Sequence, residues 1–372
     1  MTALLGPRQC GKTTISRIVA ETRETVFFDL EDPVNYQQLV HAPMLTLQAY
    51  PGLIILDEIQ RMPGLLPVLR VLADRKVSSA KFLILGSASP QLMKQASETL
   101  AGRIAFVDMS GFNLNEVGPE HIQKLWLRGG FPRSYLSRSE ETSFQWRQDF
   151  IRTFLERDIP QLGISIPAEA MRRFWTMLAH FHGQIWNGSE FARSIGATEP
   201  TARRYLDILS GAFVVRQLQP WYENISKRQV KSPKVYVRDS GLLHSLLSLD
   251  HNEILRHQKL GASWEGFMIE QLIAVLGTPC YFWATHAGAE LDLFTTLKGR
   301  RFGFEIKYAD APRLTKSMTT ALDNLSLERL LVIYPGEKPY ALHEKVQVIG
   351  AKSLLPEIQK MLGGEYLVTG GW

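Results

Sequence analysis

Short, predominantly apolar runs recur through the first third of the chain, at residues 2–5, 25–30, 53–56, 82–85 and 104–109, with helical stretches between them. Runs of that length without polar alternation are the mark of parallel strands buried on both faces, so residues 1–118 predict a βαβ sheet wrapped by helices. From residue 119 to about 184 this rhythm stops. Trp126, Phe150, Phe154, Phe174, Trp175 and Leu178 fall at helical spacings, which predicts a helical connector whose large side chains form core.

The pattern changes again over residues 185–250. Residues 189–196 read as a short helix closed by Gly196, and Pro200 opens a second helix that continues through Leu209. Two short helices joined tightly predict a helix-turn-helix, with strand-like residues 213–218 and 234–238 as its wing. Residues 251–372 predict one more α/β domain, with a helix over 264–272 and strands at 281–284, 290–294, 302–307 and 330–334.

The first inter-element loop carries the strongest chemistry. Residues 6–14, Gly-Pro-Arg-Gln-Cys-Gly-Lys-Thr-Thr, form a complete G-x-x-x-x-G-K-T phosphate loop between a strand and a helix. Gly6 and Gly11 permit the tight turn, and the backbone from Gly6 through Pro7, Arg8, Gln9 and Cys10 can cradle a β-phosphate at the positive end of the helix. Lys12 would reach the β- and γ-phosphates, the Thr13 hydroxyl would complete the coordination of Mg²⁺, and Thr14 would steady the α-phosphate side. The run ending at Leu56 leads into Asp57-Glu58, a Walker B pair. Asp57 would hold Mg²⁺ through water and Glu58 would polarise the attacking water. ATP and Mg²⁺ are therefore the expected cofactors. The strand at 81–85 ends in Gly86-Ser87-Ala88-Ser89. In ATPases with a catalytic glutamate, a strand inserted between those of the Walker motifs presents a polar residue to the γ-phosphate, and Ser87 is that candidate; a plain helix cap, with Ser89-Pro90 starting a helix at Gln91, explains the same residues.

With Leu-Asp-Glu-Ile-Gln at 56–60 and Leu-Ala-Gly-Arg at 100–103, the chain resembles the AAA-type ATPases of bacteria and archaea that carry a C-terminal domain of unknown function. Arg-Gly-Gly-Phe-Pro at 128–132, Phe-Leu-Glu-Arg-Asp-Ile-Pro at 154–160 and Lys-Val-Tyr-Val-Arg-Asp-Ser-Gly-Leu at 234–242 extend the resemblance over nearly the whole length. It implies that Arg103 acts at a γ-phosphate, a neighbouring subunit's included, although a surface arginine fits the position equally. Members carry some tens of residues ahead of the loop, packing under the nucleotide, against the five found here, so a truncated or a short-start version is expected, with the base of the adenine pocket altered.

The second constellation lies near the C-terminus. A two-residue turn at Lys298-Gly299 would set Asp292 opposite Glu305 and Glu290 opposite Lys307, on one face, with Cβ atoms about 5 Å apart. Opposed carboxylates repel unless a cation lies between them. Glu265 on the preceding helix, Asp292, and Glu305-Ile306-Lys307 resemble the PD-(D/E)XK nucleases, which implies a restriction-endonuclease-like fold, Mg²⁺ on Glu265, Asp292 and Glu305, and assistance from Lys307. A degenerate site, its carboxylates and lysine kept as an ion-pair lattice, satisfies the same residues.

Composition narrows the picture only slightly. The chain has 372 residues, 45% apolar and 21% charged, enough for two or three domains. Its +5 formal charge leans towards an anionic partner. Arg203 and Arg204 on the second helix, with Lys227, Arg228, Lys231 and Lys234 in the wing, form the densest basic stretch and are the expected DNA contacts. No run approaches the about 18 apolar residues of a membrane span, and no secretory signal opens the chain, so a cytoplasmic location is expected. Cys10 and Cys280 have no metal-ligand spacing. The expected layout is an ATPase core at 1–118, a connector at 119–184, a winged helix at 185–250 and a nuclease-like domain at 251–372. An ATPase placed before a winged helix is similar to ring-forming motors on branched DNA. The expected activity is thus an ATP-driven motor or switch on DNA, branched DNA included, in a homo-oligomer such as a hexameric ring. Two rivals remain, a metal-dependent nuclease gated by the ATPase and a signalling switch that binds protein.

Overall fold

Five strands, β1 (Thr2–Gly6), β2 (Thr25–Asp29), β3 (Leu53–Asp57), β4 (Lys81–Ser87) and β5 (Ala105–Asp108), pair in parallel in the order β2-β3-β4-β1-β5. The apolar runs of β1 and β3 are continuous because both sheet faces are covered there; the run at 104–109 departs from that expectation, since β5 lies at the sheet edge and all four of its residues are exposed. Along β3 every residue is buried. Ile54 and Leu56 face a core with Phe28, Phe82 and Leu69, while Ile55 faces a second core with Leu4, Leu83 and Leu85. Strand alternation sends neighbours to opposite faces, and each buried aliphatic side chain contributes about 1.5–3 kcal/mol. Strand β4 is inserted between β1 and β3, as expected of an ATPase with a glutamate after its Walker B strand.

The computed structural model describes residues 1–75, 81–87, 96, 98–222 and 230–361. Residues 1–111 with 207–214 form one compact unit, and residues 112–206 with 215–372 form another. Overall the chain is α/β.

The second unit begins with helices, the longest being Glu140–Thr153 and Ala168–His180, joined by the π-helical turn Phe154–Asp158 of the Phe-Leu-Glu-Arg-Asp motif. Two other motifs meet each other here. The Asp239 carboxylate accepts from the Gly130 and Leu242 amides at 2.7 and 2.8 Å, and a Cβ on Gly129 (φ 76°) would fall 2.1 Å from its Oδ1. Gly129 of Arg-Gly-Gly-Phe-Pro is thus required by the close approach of a buried helix cap, to which Gly130 adds its amide.

Helices Gly188–Ile195 and Glu199–Gly211 flank a turn at Gly196 in the left-handed region, and strands β6 (Gln184–Ile185), β7 (Val215–Leu218) and β8 (Lys234–Val237) pair antiparallel as β6-β8-β7. A six-stranded mixed sheet follows, made of β9 (Cys280–Ala284), β10 (Glu290–Leu297), β11 (Arg300–Ile306), β12 (Arg329–Tyr334), β13 (Tyr340–His343) and β14 (Val346–Gly350), in the order β13-β14-β12-β11-β10-β9. Helix Leu260–Leu276 packs on one face against Phe304, Leu331 and Ile333; helix Lys316–Leu325 packs on the other against Leu291, Leu330 and Val332. The β10–β11 turn is the two-residue one expected: Lys298 and Gly299 both have positive φ, Leu297 faces Arg300 and Leu293 faces Phe304. Among the described residues no helix is long and apolar enough to cross a membrane.

Candidate functional site

The carboxyl ends of β1 and β3 bring the two Walker motifs together. Gly11, at φ 107°, precedes helix Lys12–Glu21 and carries the chain into it. The Lys12 side chain curls back over the loop, and its ammonium donates to the carbonyls of Gly6 and Pro7 at 2.9 and 2.8 Å. Thr13 Oγ1 donates to Asp57 Oδ2 at 2.8 Å, and the Glu58 amide donates to Asp57 Oδ1 at 2.9 Å. Asp57 is 3% exposed, and burial raises its pKa against the pull of those two hydrogen bonds. Glu58 sits in the left-handed region at φ 58°, the first bend after the strand. Burial raises its pKa too, opposed by a close hydrogen bond from Gln60 Nε2. Arg8 pairs with Glu31 at 3.1 Å. This donor set fits a magnesium-bound triphosphate: a hydroxyl and a carboxylate in contact, a lysine whose carbonyl partners a phosphate oxygen can replace, and a carboxylate beside them.

Ser87 and Arg103 are the two further candidates for the nucleotide site. Ser87 ends β4 opposite Gly6 in the parallel register, which sets its backbone beside the loop. Residues 88–91, with the alternative cap Ser89-Pro90 and the helix start at Gln91, lie outside the described residues. Arg103 is exposed and bound by Asp74 at 2.6 Å.

Of the expected DNA contacts, Arg203, Arg204 and Lys231 are exposed, whereas Lys227 and Arg228 lie outside the described residues. Lys234 requires correction. It is 2% exposed, and its ammonium points into the protein, away from any phosphate backbone. It touches Glu290 and lies 3.4 Å from Glu265 Oε1 and 3.8 Å from Asp292 Oδ1. Burial lowers its pKa, but Glu265, the Tyr236 hydroxyl, Asp292 and Glu290 outweigh that and hold it well above the ordinary lysine value. Tyr236 donates to the same Glu265 oxygen at 2.7 Å.

Lys234 also changes the expected metal site. Glu265, Asp292 and Glu305 do share a pocket, but among the described residues no three His, Cys, Asp or Glu side chains are placed to hold a metal ion. A lysine ammonium stands where the cation would. Lys307 pairs with Glu305 at 2.6 Å, not with Glu290, which Lys234 takes. The Ile306 amide donates to Asp292 Oδ2 at 2.8 Å, so that oxygen is committed to the backbone. Burial, then Glu305 and Glu265, push the Asp292 pKa well up; Glu305 is raised chiefly by burial. The pocket as it stands does not fit a divalent ion.

Lys234, Tyr236 and Gln60 are the residues that sequence reasoning misplaced or passed over. A signal existed for the first: Lys234 opens a strand in which every residue is buried, and a cation in such a strand needs an internal counter-charge.

Residues 1–118 match the family described as AAA domain, while residues 119–253 and 260–354 match two domains of unknown function, DUF8612 and DUF4143. An uncharacterized protein of Mycobacterium tuberculosis and another of Mycobacterium bovis are each 54% identical over 354 residues, 95% of this chain and 80% of the relative. Among solved structures, the Thermotoga maritima RuvB Holliday junction branch migration motor aligns with 58% of this chain and 81% of its own, at 17% identity and a TM-score of 0.28.

Proposed function

The chain belongs to the family of these two mycobacterial proteins and carries an AAA domain at residues 1–118, from which we propose that it hydrolyses ATP and spends the hydrolysis on DNA, as a motor or switch. The observation that carries the ATPase reading is the Thr13–Asp57 hydrogen bond with Glu58 next in the chain, at the carboxyl edge of a parallel sheet. Lys12 would exchange the Gly6 and Pro7 carbonyls for phosphate oxygens. Mg²⁺, held by Thr13 and Asp57, would supply charge neutralisation at the phosphates. Glu58 would take the proton of the attacking water, and the upward shift of its pKa makes it a stronger base than an ordinary glutamate. Arg103, at the surface, is the candidate for acting in trans within a ring.

The DNA reading rests on exposed Arg203 and Arg204 in the second helix of a helix-turn-helix, with Lys231 just ahead of β8. A winged helix at residues 185–250 would lay that helix in the major groove and set the wing cations on phosphates. A metal-dependent nuclease is the weaker reading, since Lys234 occupies the acidic pocket. The double reversal Arg203→Glu/Arg204→Glu should weaken binding to duplex, forked and four-way DNA by about tenfold or more at about 100 mM salt and flatten the log–log salt slope by about 2. Fluorescence anisotropy across a salt series reads both. Binding that is feeble throughout and indifferent to salt and to the reversal would favour the protein-binding switch.

A further inference from the structure

We propose that Lys234 is the resident cation of the acidic pocket in the C-terminal half, a plug supplied by strand β8 that keeps divalent metal out. This stands apart from the ATPase reading, because it concerns other residues and another ligand.

The carboxylates come from three elements: Glu265 from helix Leu260–Leu276, Glu290 and Asp292 from β10, and Glu305 from β11. Asp292 and Glu305 are buried and Glu265 nearly so, while Glu290 lies at the rim with its side chain 41% exposed. Gathering the inner carboxylates requires positive charge, since two of them a few ångströms apart in a poorly hydrated site cannot both stay ionised unaided. Lys307 answers one of them, Glu305, from the rim, where its side chain is 39% exposed. Lys234 reaches the other three within salt-bridge distance from the interior. Its stem is walled in, with the ammonium 5.7 Å from the Phe282 ring centroid. The burial and triple pairing set Lys234 apart from a surface lysine that happens to lean inward.

The same pocket keeps one mark of a cation site. Glu305 Oε2 is buried and has no hydrogen-bond partner among the described residues. With four carboxylates and two lysines, the acids outnumber the bases, and Glu305 Oε2 is an oxygen that neither lysine binds within the described residues. Removing the lysine would therefore uncover hard oxygen ligands of the kind that bind Mg²⁺ or Mn²⁺. The lysine is also the mechanical link: Glu265 receives both Lys234 and Tyr236 of β8, so the position of that strand and the state of the pocket are one variable.

The test is Mn²⁺ binding, by electron paramagnetic resonance of free ion, to the full chain without nucleotide. Three further proteins accompany the unchanged one: Asp292→Asn, Lys234→Met and the double variant. The unchanged protein should show no Mn²⁺ uptake that Asp292→Asn removes. Lys234→Met should gain one site, at least about tenfold tighter than any in the unchanged protein, and the double variant should lose it. Thermal unfolding gives a second readout: Mn²⁺ should raise the melting temperature of Lys234→Met by more than that of the unchanged protein, and Asp292→Asn added to Lys234→Met should remove the excess. Asp292-dependent Mn²⁺ uptake by the unchanged protein would overturn the proposal, and that measurement stands even if Lys234→Met fails to fold. A folded Lys234→Met protein without a new site would overturn it as well. ATP turnover by the unchanged chain is unaffected by any of these results.

Discussion

Glu58→Gln should lower ATP turnover by about 10²- to 10⁴-fold while leaving ATP binding intact. Glutamine keeps the size of the side chain and its hydrogen bond with Gln60, but it cannot take a proton from water. The phosphate contacts belong to other residues, Lys12 and the loop amides, so affinity survives. Lys12→Ala separates the two roles from the other side, for it should lose affinity and turnover together, because the ammonium that now bridges the Gly6 and Pro7 carbonyls is the group that would hold the phosphates. Binding of a fluorescent ATP analogue beside phosphate-release rates distinguishes them. The pH profile adds a signature. Burial raises the Glu58 pKa, so the acid limb of turnover should lie above the usual glutamate range and be absent from the residual activity of Glu58→Gln. Full activity in Glu58→Gln would remove the base from the mechanism.

What could be read from the sequence, and what could not, divides along the range of the interactions. The phosphate loop and the Walker B strand are local: glycine spacing, a run of apolar residues and the pair that ends it suffice, and Thr13 and Asp57 are found in contact. The β10–β11 hairpin is also local, its register set by Lys298-Gly299, and the strand pairs follow it. Strand β13 was not legible, because Tyr340–His343 is half-exposed and carries no continuous apolar run. Lys234 was misassigned for a related reason. The local signal, a cation near other cations and a strand, says DNA, whereas its actual partners stand 31 to 58 positions further along the chain and meet it only after the sheet has formed. The motif residues around Gly129 and Asp239 make the same point. In the sequence they only extend the family resemblance, and the fold uses them as a cap and a close approach.

Glu270→Gln should destabilise the second unit by about 3 kcal/mol at neutral pH. Glu270 is held by Arg216 of β7 at 2.8 Å and by Arg238, just past β8, at 3.1 Å. Burial alone would raise its pKa, but the two guanidinium groups outweigh it and bring the value to about 2. A carboxylate depressed in the folded state stabilises above its unfolded pKa, and that contribution fades as pH falls towards the folded value. The gap between the unchanged protein and Glu270→Gln should therefore be full at pH 7 and about half gone near pH 3. Urea unfolding followed by tryptophan fluorescence at several pH values measures it, and a gap under about 1 kcal/mol at pH 7 would mean that the arginines find other partners. The effect reaches the acidic pocket. Helix Leu260–Leu276 grips β8 at one end through Glu265 to Lys234 and Tyr236, and just past its other end through Glu270 to Arg238. Losing the Glu270 pair shifts more of the tie between that strand and the helix onto Lys234, so Glu270→Gln combined with Lys234→Met should cost more than the sum of the two separate losses.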